Sequence, residues 1–226
     1  MKNTLKQEKR AKALTKQLGV SFSSELGINL QEGKEEEIFK WFLASVLFGK
    51  RISFRTAIKT YKQFKSSSVL TPRAIIDTGW DGLVKILDDG GYVRYDFSTA
   101  SKLLELVKQL QQSYGSLTEL HKSAKDPKDL ENMLMHLKGI GPVTTNIFLR
   151  ELRTVWKKAD PEPPDFVKQE AAKLRINLDK FNRKTKKFIK LEAALIRSSK
   201  QKKDKSVRRN GYGFWGRGRV SKIRPS

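Results

Sequence analysis

Residues that begin or end helices recur along the middle of this chain, and they leave room for little except short helices. Gly49 follows an apolar run, Ser53 and the pair Thr71-Pro72 offer caps, Gly79 and Gly90-Gly91 stop what precedes them, and Asp126-Pro127 opens another segment. Between these marks apolar residues return at helical spacing, as in Ala57, Ile58, Tyr61 and Phe64. Leu103, Leu106, Val107 and Leu110 form a second such stripe, predicted to start at a Ser98 cap and to end before Gly115. Asp81 opens a short segment after Gly79, with Leu83, Ile86 and Leu87 inward. No stretch alternates as a half-buried strand does. The pattern predicts an all-α body of short helices joined by tight turns.

One helix belongs at the centre. Glu35, Glu36 and Glu37 favour a helix start, and Ile38 to Phe48 is apolar on nearly every side, Trp41 included, so neighbours must cover it all round. Residues 1–34 give a short basic helix and a connector with Leu26, Ile28 and Leu30. Asp160 to Asp165 is a rigid proline-rich connector. A last helical pair carries Val167 and Leu174, then Phe181, Phe188, Leu191, Ala194 and Leu195, and the periodicity stops past Ser198.

Charge narrows the partners. The formal charge is +23, of which residues 197–226 supply +10, so the body itself is strongly basic. Such a balance attracts nucleic acid, anionic membranes or acidic proteins, and says nothing about fold. No run approaches the ~20 apolar residues of a membrane helix, and the start lacks a secretory apolar core. The chain has no cysteine, which excludes disulfides, a thiolate nucleophile and cysteine-held clusters, and fits a cytoplasmic, nucleoid-associated protein. His121 and His136 are too few and too far apart for a metal site, and neither metal nor cofactor is expected.

Leu137-Lys138-Gly139-Ile140-Gly141-Pro142-Val143-Thr144-Thr145-Asn146 is a glycine turn between two helical patterns. Gly139 and Gly141 permit a sharp turn and a close backbone approach, and the amides opening the next helix make a phosphate seat. Thr144 and Thr145 serve the start of that helix, and Lys138 adds charge. Together with this turn, Phe39 to Ser53 and Gly91-Tyr92-Val93-Arg94-Tyr95 resemble, in order and spacing over residues 35–155, the helix-hairpin-helix DNA glycosylases related to endonuclease III. The resemblance implies a two-lobed helical fold: residues 36–150 form a central lobe ending in the hairpin, residues 1–35 and 151–196 form the second, and 197–226 form a disordered basic tail. It also implies duplex DNA as partner, a base flipped from the stack, and cleavage of its glycosidic bond by a monomeric enzyme.

Two catalytic features of that family are altered. The lysine with which some members form a Schiff base matches Val143, and Pro142 before it has no nucleophile either, so the expected activity is monofunctional. The family's aspartate, about twenty residues after the hairpin, falls at Pro161; neighbouring Asp160 and the more distant Asp165 are rival matches, and both sit where an aspartate often only caps a turn. The family's four-cysteine iron–sulfur cluster is absent.

Lys50, Arg51 and Arg55 follow the central helix on the loop that the resemblance turns toward DNA. Tyr92, Arg94 and Tyr95 alternate aromatic and basic groups as a stacking surface would. Trp156, with Lys157 and Lys158, is a candidate lining for the cleft near Asp160. Arg183, Lys184, Lys186, Lys187 and Lys190 make a dense basic run, and the stretch with Arg208-Arg209 and Tyr212 to Arg219 resembles a flexible nucleic-acid-binding arm, to which RNA is an alternative ligand. The rival to the enzyme is a catalytically silent, structure-sensing DNA-binding protein.

Overall fold

The computed structural model describes residues 2–211, with side chains over 5–201. Among the described residues the secondary structure is helical and no strand forms. The α-helices are α1 (Lys2–Leu18), α2 (Phe22–Glu25), α3 (Glu35–Phe48), α4 (Phe54–Ser66), α5 (Pro72–Asp89), α6 (Asp96–Ser113), α7 (Leu117–Ser123), α8 (Pro127–His136), α9 (Pro142–Glu151), α10 (Asp165–Lys173) and α11 (Lys186–Gly211). None is long and apolar enough to cross a membrane.

The caps act largely where the sequence puts them. Ser53, Thr71 and Asp126 each accept a backbone N–H from the first turn of α4, α5 and α8. Gly79 breaks α5 in two, at φ 67° and ψ −179°. Ser98 does not cap α6: the helix starts two residues earlier, at Asp96, and the Ser98 hydroxyl donates back to the Tyr95 carbonyl. α11 runs on to Gly211, past the point where its apolar stripe ends. The arm residues Tyr212 to Arg219 lie outside the described residues.

The helices pack in two sets. α3 touches α4, α7 and α9, while α5 packs on α4 and α6, and α8 joins α7 to α9. α1 and α10 both pack on α11. α3 is the hub: Ile38, Trp41, Phe42, Leu43, Ala44 and Leu47 are essentially inaccessible, and the Trp41 indole donates to the Phe148 carbonyl on α9 at 3.0 Å.

Two carboxylates tie the pieces together by capping helix starts. Glu35 accepts the Leu117 and Thr118 amides of α7 at 2.9 Å each. Glu151, the last residue of α9, accepts the Phe22 and Ser23 amides of α2 at 2.7 and 2.9 Å. Each places negative charge at the positive end of a helix and satisfies orphan donors there. Arg153, fully buried, pairs with Glu192 of α11 and donates to the Pro161 carbonyl at 2.7 Å.

Candidate nucleic-acid interface and its pocket

The hairpin between α8 and α9 is built around one left-handed residue. Gly139 has φ +78°, and a side chain there would press on the Lys102 stem at 3.2–3.4 Å. Ile140 closes the turn by donating to the Leu137 carbonyl at 3.1 Å, and its side chain is buried. Gly141, the N-cap of α9, has φ −114° and open space where a Cβ would stand. Among the described residues, no backbone hydrogen bond uses the N–H of Gly139, Gly141, Val143 or Thr144. Four open amides at a helix N-terminus with no acidic residue in its first turn form an anion seat.

Two residues of this turn are engaged within the fold. The Ile140 amide serves the turn itself, and its buried side chain cannot reach a ligand. The Lys138 amide is likewise spent, donating to Gln109 Oε1 at 2.8 Å while Gln109 Nε2 donates to the His136 carbonyl. The Lys138 ammonium lies 3.2 Å from Glu105, an exposed pair of little energetic weight, so the charge remains presentable.

The end of α3 meets this turn. Gly49 packs so closely on the Thr144 hydroxyl that a Cβ would collide with it. Lys50 follows, half-buried, and burial together with the neighbouring Lys102 charge pushes its ammonium below the ordinary range. Two cations thus crowd beside the open amides, an arrangement relieved by an anion. Arg51 and Arg55 are exposed, and Arg55 shares a shallow groove with Lys59 and Lys62.

Tyr92 is not a stacking surface. It is 1% exposed and its hydroxyl donates to the Leu47 carbonyl at 2.9 Å, because residues 92–95 form a turn that sends this ring inward. Arg94 stays exposed, with its guanidinium 5.8 Å from the Tyr95 ring centre. Trp156 is buried too, stacked on His121 at 4.6 Å. Lys158 caps the end of α7 by donating to the carbonyls of His121, Lys122 and Ala124.

A pocket of about 510 Å³ opens beside the hairpin, where the two helix sets meet. Its walls are largely apolar: Phe48 and Phe54 from one set, Phe166 and Ile196 from the other, Phe22 from α2, with Val143 at the hairpin end. Its polar groups include Asn146, Arg150 and Lys200, and Lys200 sits 4.9 Å over the Phe54 ring. No Asp or Glu is among the lining residues. Asp165, exposed at the start of α10, stands between Pro164 and Phe166, both of which line the pocket.

Asp160 is elsewhere. One of its oxygens lies 3.5 Å from the Arg153 guanidinium and the other 3.1 Å from that of Arg183, which also pairs with Glu162. It borders a separate, more open hollow of about 1140 Å³ near Arg175 and Phe181. The structure therefore gathers the hairpin amides, Val143, Thr144, Lys50 and the vicinity of Asp165, and leaves out Asp160, Tyr92 and Trp156.

The pocket lining escaped sequence reading, although part of a signal was there. Val143, Asn146, Ile147 and Arg150 recur at helical spacing along α9, marking one face of that helix. Phe22, Phe54 and Phe166 come from three distant segments, and no local pattern joins them.

In comparisons with known proteins, no family model matches, and no curated protein matches. Among solved structures the chain is similar to the 3-methyladenine DNA glycosylase MagIII of H. pylori, crystallised with 1,N6-ethenoadenine. The similarity spans 73% of this chain and 85% of that one, at 14% identity and a TM-score of 0.48.

Proposed function

We propose that the protein is a monofunctional DNA base-excision glycosylase that grips duplex DNA at the hairpin and takes an extruded base into the adjacent pocket. The observation that carries this reading is the juxtaposition of an unoccupied set of amides, flanked by cations, with an apolar pocket at one helix end. Backbone amides that grip a phosphate fix register without reading sequence. A base leaves the stack at a cost of a few kcal/mol, least when mispaired or damaged, and aromatic walls recover part of it.

Cleavage of the glycosidic bond sends its electron pair to the departing base and leaves positive charge on the sugar. Water then bonds to C1′ and loses a proton. Asp165 is the carboxylate suited to both tasks: it is exposed, borders the pocket, and has no guanidinium partner among the described residues. Asp160, already compensated by Arg153 and Arg183, has a holding role. Val143 at the hairpin offers no amine for Schiff-base chemistry.

The test is single-turnover base release from duplexes bearing uracil, hypoxanthine, alkylated or oxidised bases, with hot alkali developing the abasic sites. Asp165→Asn is expected to lower the rate at least a hundredfold with binding retained. Asp160→Asn should change it less than tenfold while lowering the melting temperature. A full rate for Asp165→Asn removes that residue from the mechanism. The absence of any carboxylate from the pocket wall favours one alternative, a silent structure-sensing DNA binder; salt-sensitive binding without release from any duplex would establish it.

A further inference from the structure

Arg150 is the most unusual residue in the pocket. It is 8% exposed and lines the cavity, and its guanidinium makes neither hydrogen bond nor ion pair among the described residues. Its Nε is buried without a partner. The guanidinium lies 5.0 Å from the Phe22 ring centre, and burial pushes its pKa down, opposed by the charges of Glu192 and Glu151. A buried, unpaired guanidinium is costly, and such groups are ordinarily matched by a partner.

One turn earlier on the same face of α9 stands Asn146. Its Nδ2 donates to the Glu162 carbonyl at 2.7 Å, which fixes the orientation of the amide, since only nitrogen can donate there. Its Oδ1 is therefore the free end, and it too is buried without a partner. The pocket thus holds an unused fork of donors beside an unused acceptor, on a rigid helix.

We propose that Arg150 and Asn146 are the base-reading pair of this pocket and select neutral lactam bases, in which a carbonyl adjoins a ring N–H. This rests on the reading of the pocket as a base site. The carbonyl accepts from Arg150 while the ring N–H donates to Asn146 Oδ1. Hypoxanthine, xanthine and uracil, the products of deaminating adenine, guanine and cytosine, all present that edge. Adenine and cytosine present the reverse, an amino group beside a bare ring nitrogen, and would face donor with donor and acceptor with acceptor. Guanine and thymine share the lactam edge but are held in matched pairs, so the cost of extrusion discriminates against them. Bases alkylated at a ring nitrogen to give a cation are repelled by Arg150. As the glycosidic bond breaks, the electron pair passes to the base, whose negative charge spreads to the carbonyl oxygen that Arg150 already holds. Arg150 stabilises the leaving group and Asp165 the sugar.

Bases methylated at the glycosidic nitrogen bypass the chemistry and give the first measurement: equilibrium dialysis of the full chain against 1-methyluracil, 1-methylcytosine, 9-methylhypoxanthine, 9-methyladenine and 3-methyladenine. Each matched pair should favour the lactam by about tenfold or more, in keeping with the discrimination of a two-point contact to a base edge. Arg150→Met should abolish the preference, and Arg150→Lys, which keeps charge but not the fork, should weaken it. Melting curves verify that each variant is folded; should Arg150→Met fail to fold, a full preference in Arg150→Lys overturns the proposal. So does a folded Arg150→Met that still prefers lactams, a wild-type chain that binds none, or one that prefers 3-methyladenine. Base preference without release from any duplex would leave this proposal standing and remove the glycosylase reading. Release of a cationic alkylated base, unaffected by Arg150→Met, would do the reverse.

Discussion

His121 lies flat against Trp156, rings 4.6 Å apart and 3° from parallel, in a setting that penalises its charge. Burial, then the ammonium groups of Lys158 and Lys184, push its pKa down to about 4. The sign of the consequence follows from linkage. Between about 4 and the unfolded value near 6.5, the unfolded chain takes up a proton that the folded chain refuses, so stability falls as the solution is acidified through that window. His121→Phe keeps the stack and removes the titration, so its melting temperature should drop less between pH 7 and pH 4.5 than that of the parent. Parallel drops would show that other groups carry the acid sensitivity. At this scale sequence reading fared unevenly. Trp41 was legible as core because apolar residues surround it on every side of one helix. Tyr92 was not legible as core, because its alternation with Arg94 suits a stacking surface equally well; the chain turns there and buries its ring.

Among the elements, the hairpin between α8 and α9 shows how two glycines in one motif do different work. Gly139 needs its left-handed backbone and meets the Lys102 stem, whereas Gly141 has an ordinary φ and open space beside it. Gly139→Ala should therefore destabilise the protein by about 1 kcal/mol or more. Gly141→Ala should leave the melting temperature nearly unchanged but weaken duplex binding severalfold, because the new methyl takes up the open space through which a ligand approaches the turn. Equal effects of both variants on folding would contradict this division of labour. The turn itself was legible, since glycine spacing and flanking helices are local signals. Its brace was not: Gln109 on α6 holds the Lys138 amide and the His136 carbonyl across nearly thirty residues, and a lone glutamine carries no pattern. The two aspartates illustrate the same limit. Counting residues favoured Asp160, but a proline-rich connector can shift spacing, and only the fold places Asp160 between two guanidinium groups.

Over the whole molecule, charge and shape play separate parts. The described body bears the hairpin and the pocket, while residues 202–226 carry nine lysines and arginines against Asp204. Nonspecific DNA affinity falls with salt according to the number of phosphates neutralised. A chain ending at Gln201 should accordingly bind duplex more weakly at low salt and show a shallower dependence of log affinity on log salt. Its ratio of affinities for lesion-bearing and undamaged duplex should stay the same. A loss of that ratio would place recognition in the C-terminal segment. The helical class was readable from caps and periodicity, and the basic character from composition. The pocket was not, because its walls come from both sets of helices and meet only after folding.

α9 begins at the open amides and ends at Glu151, whose carboxylate fixes the start of α2 and with it Phe22 on the far wall of the pocket. Ten helical residues span about 15 Å. The helix is thus a ruler, setting how far a held phosphate stands from the wall against which a base would rest. Along its length each residue turns the helix by about 100°, so lengthening the ruler by one residue would also swing Arg150 away from the cavity. Span and aim are set by the same ten residues, and neither can be altered without the other.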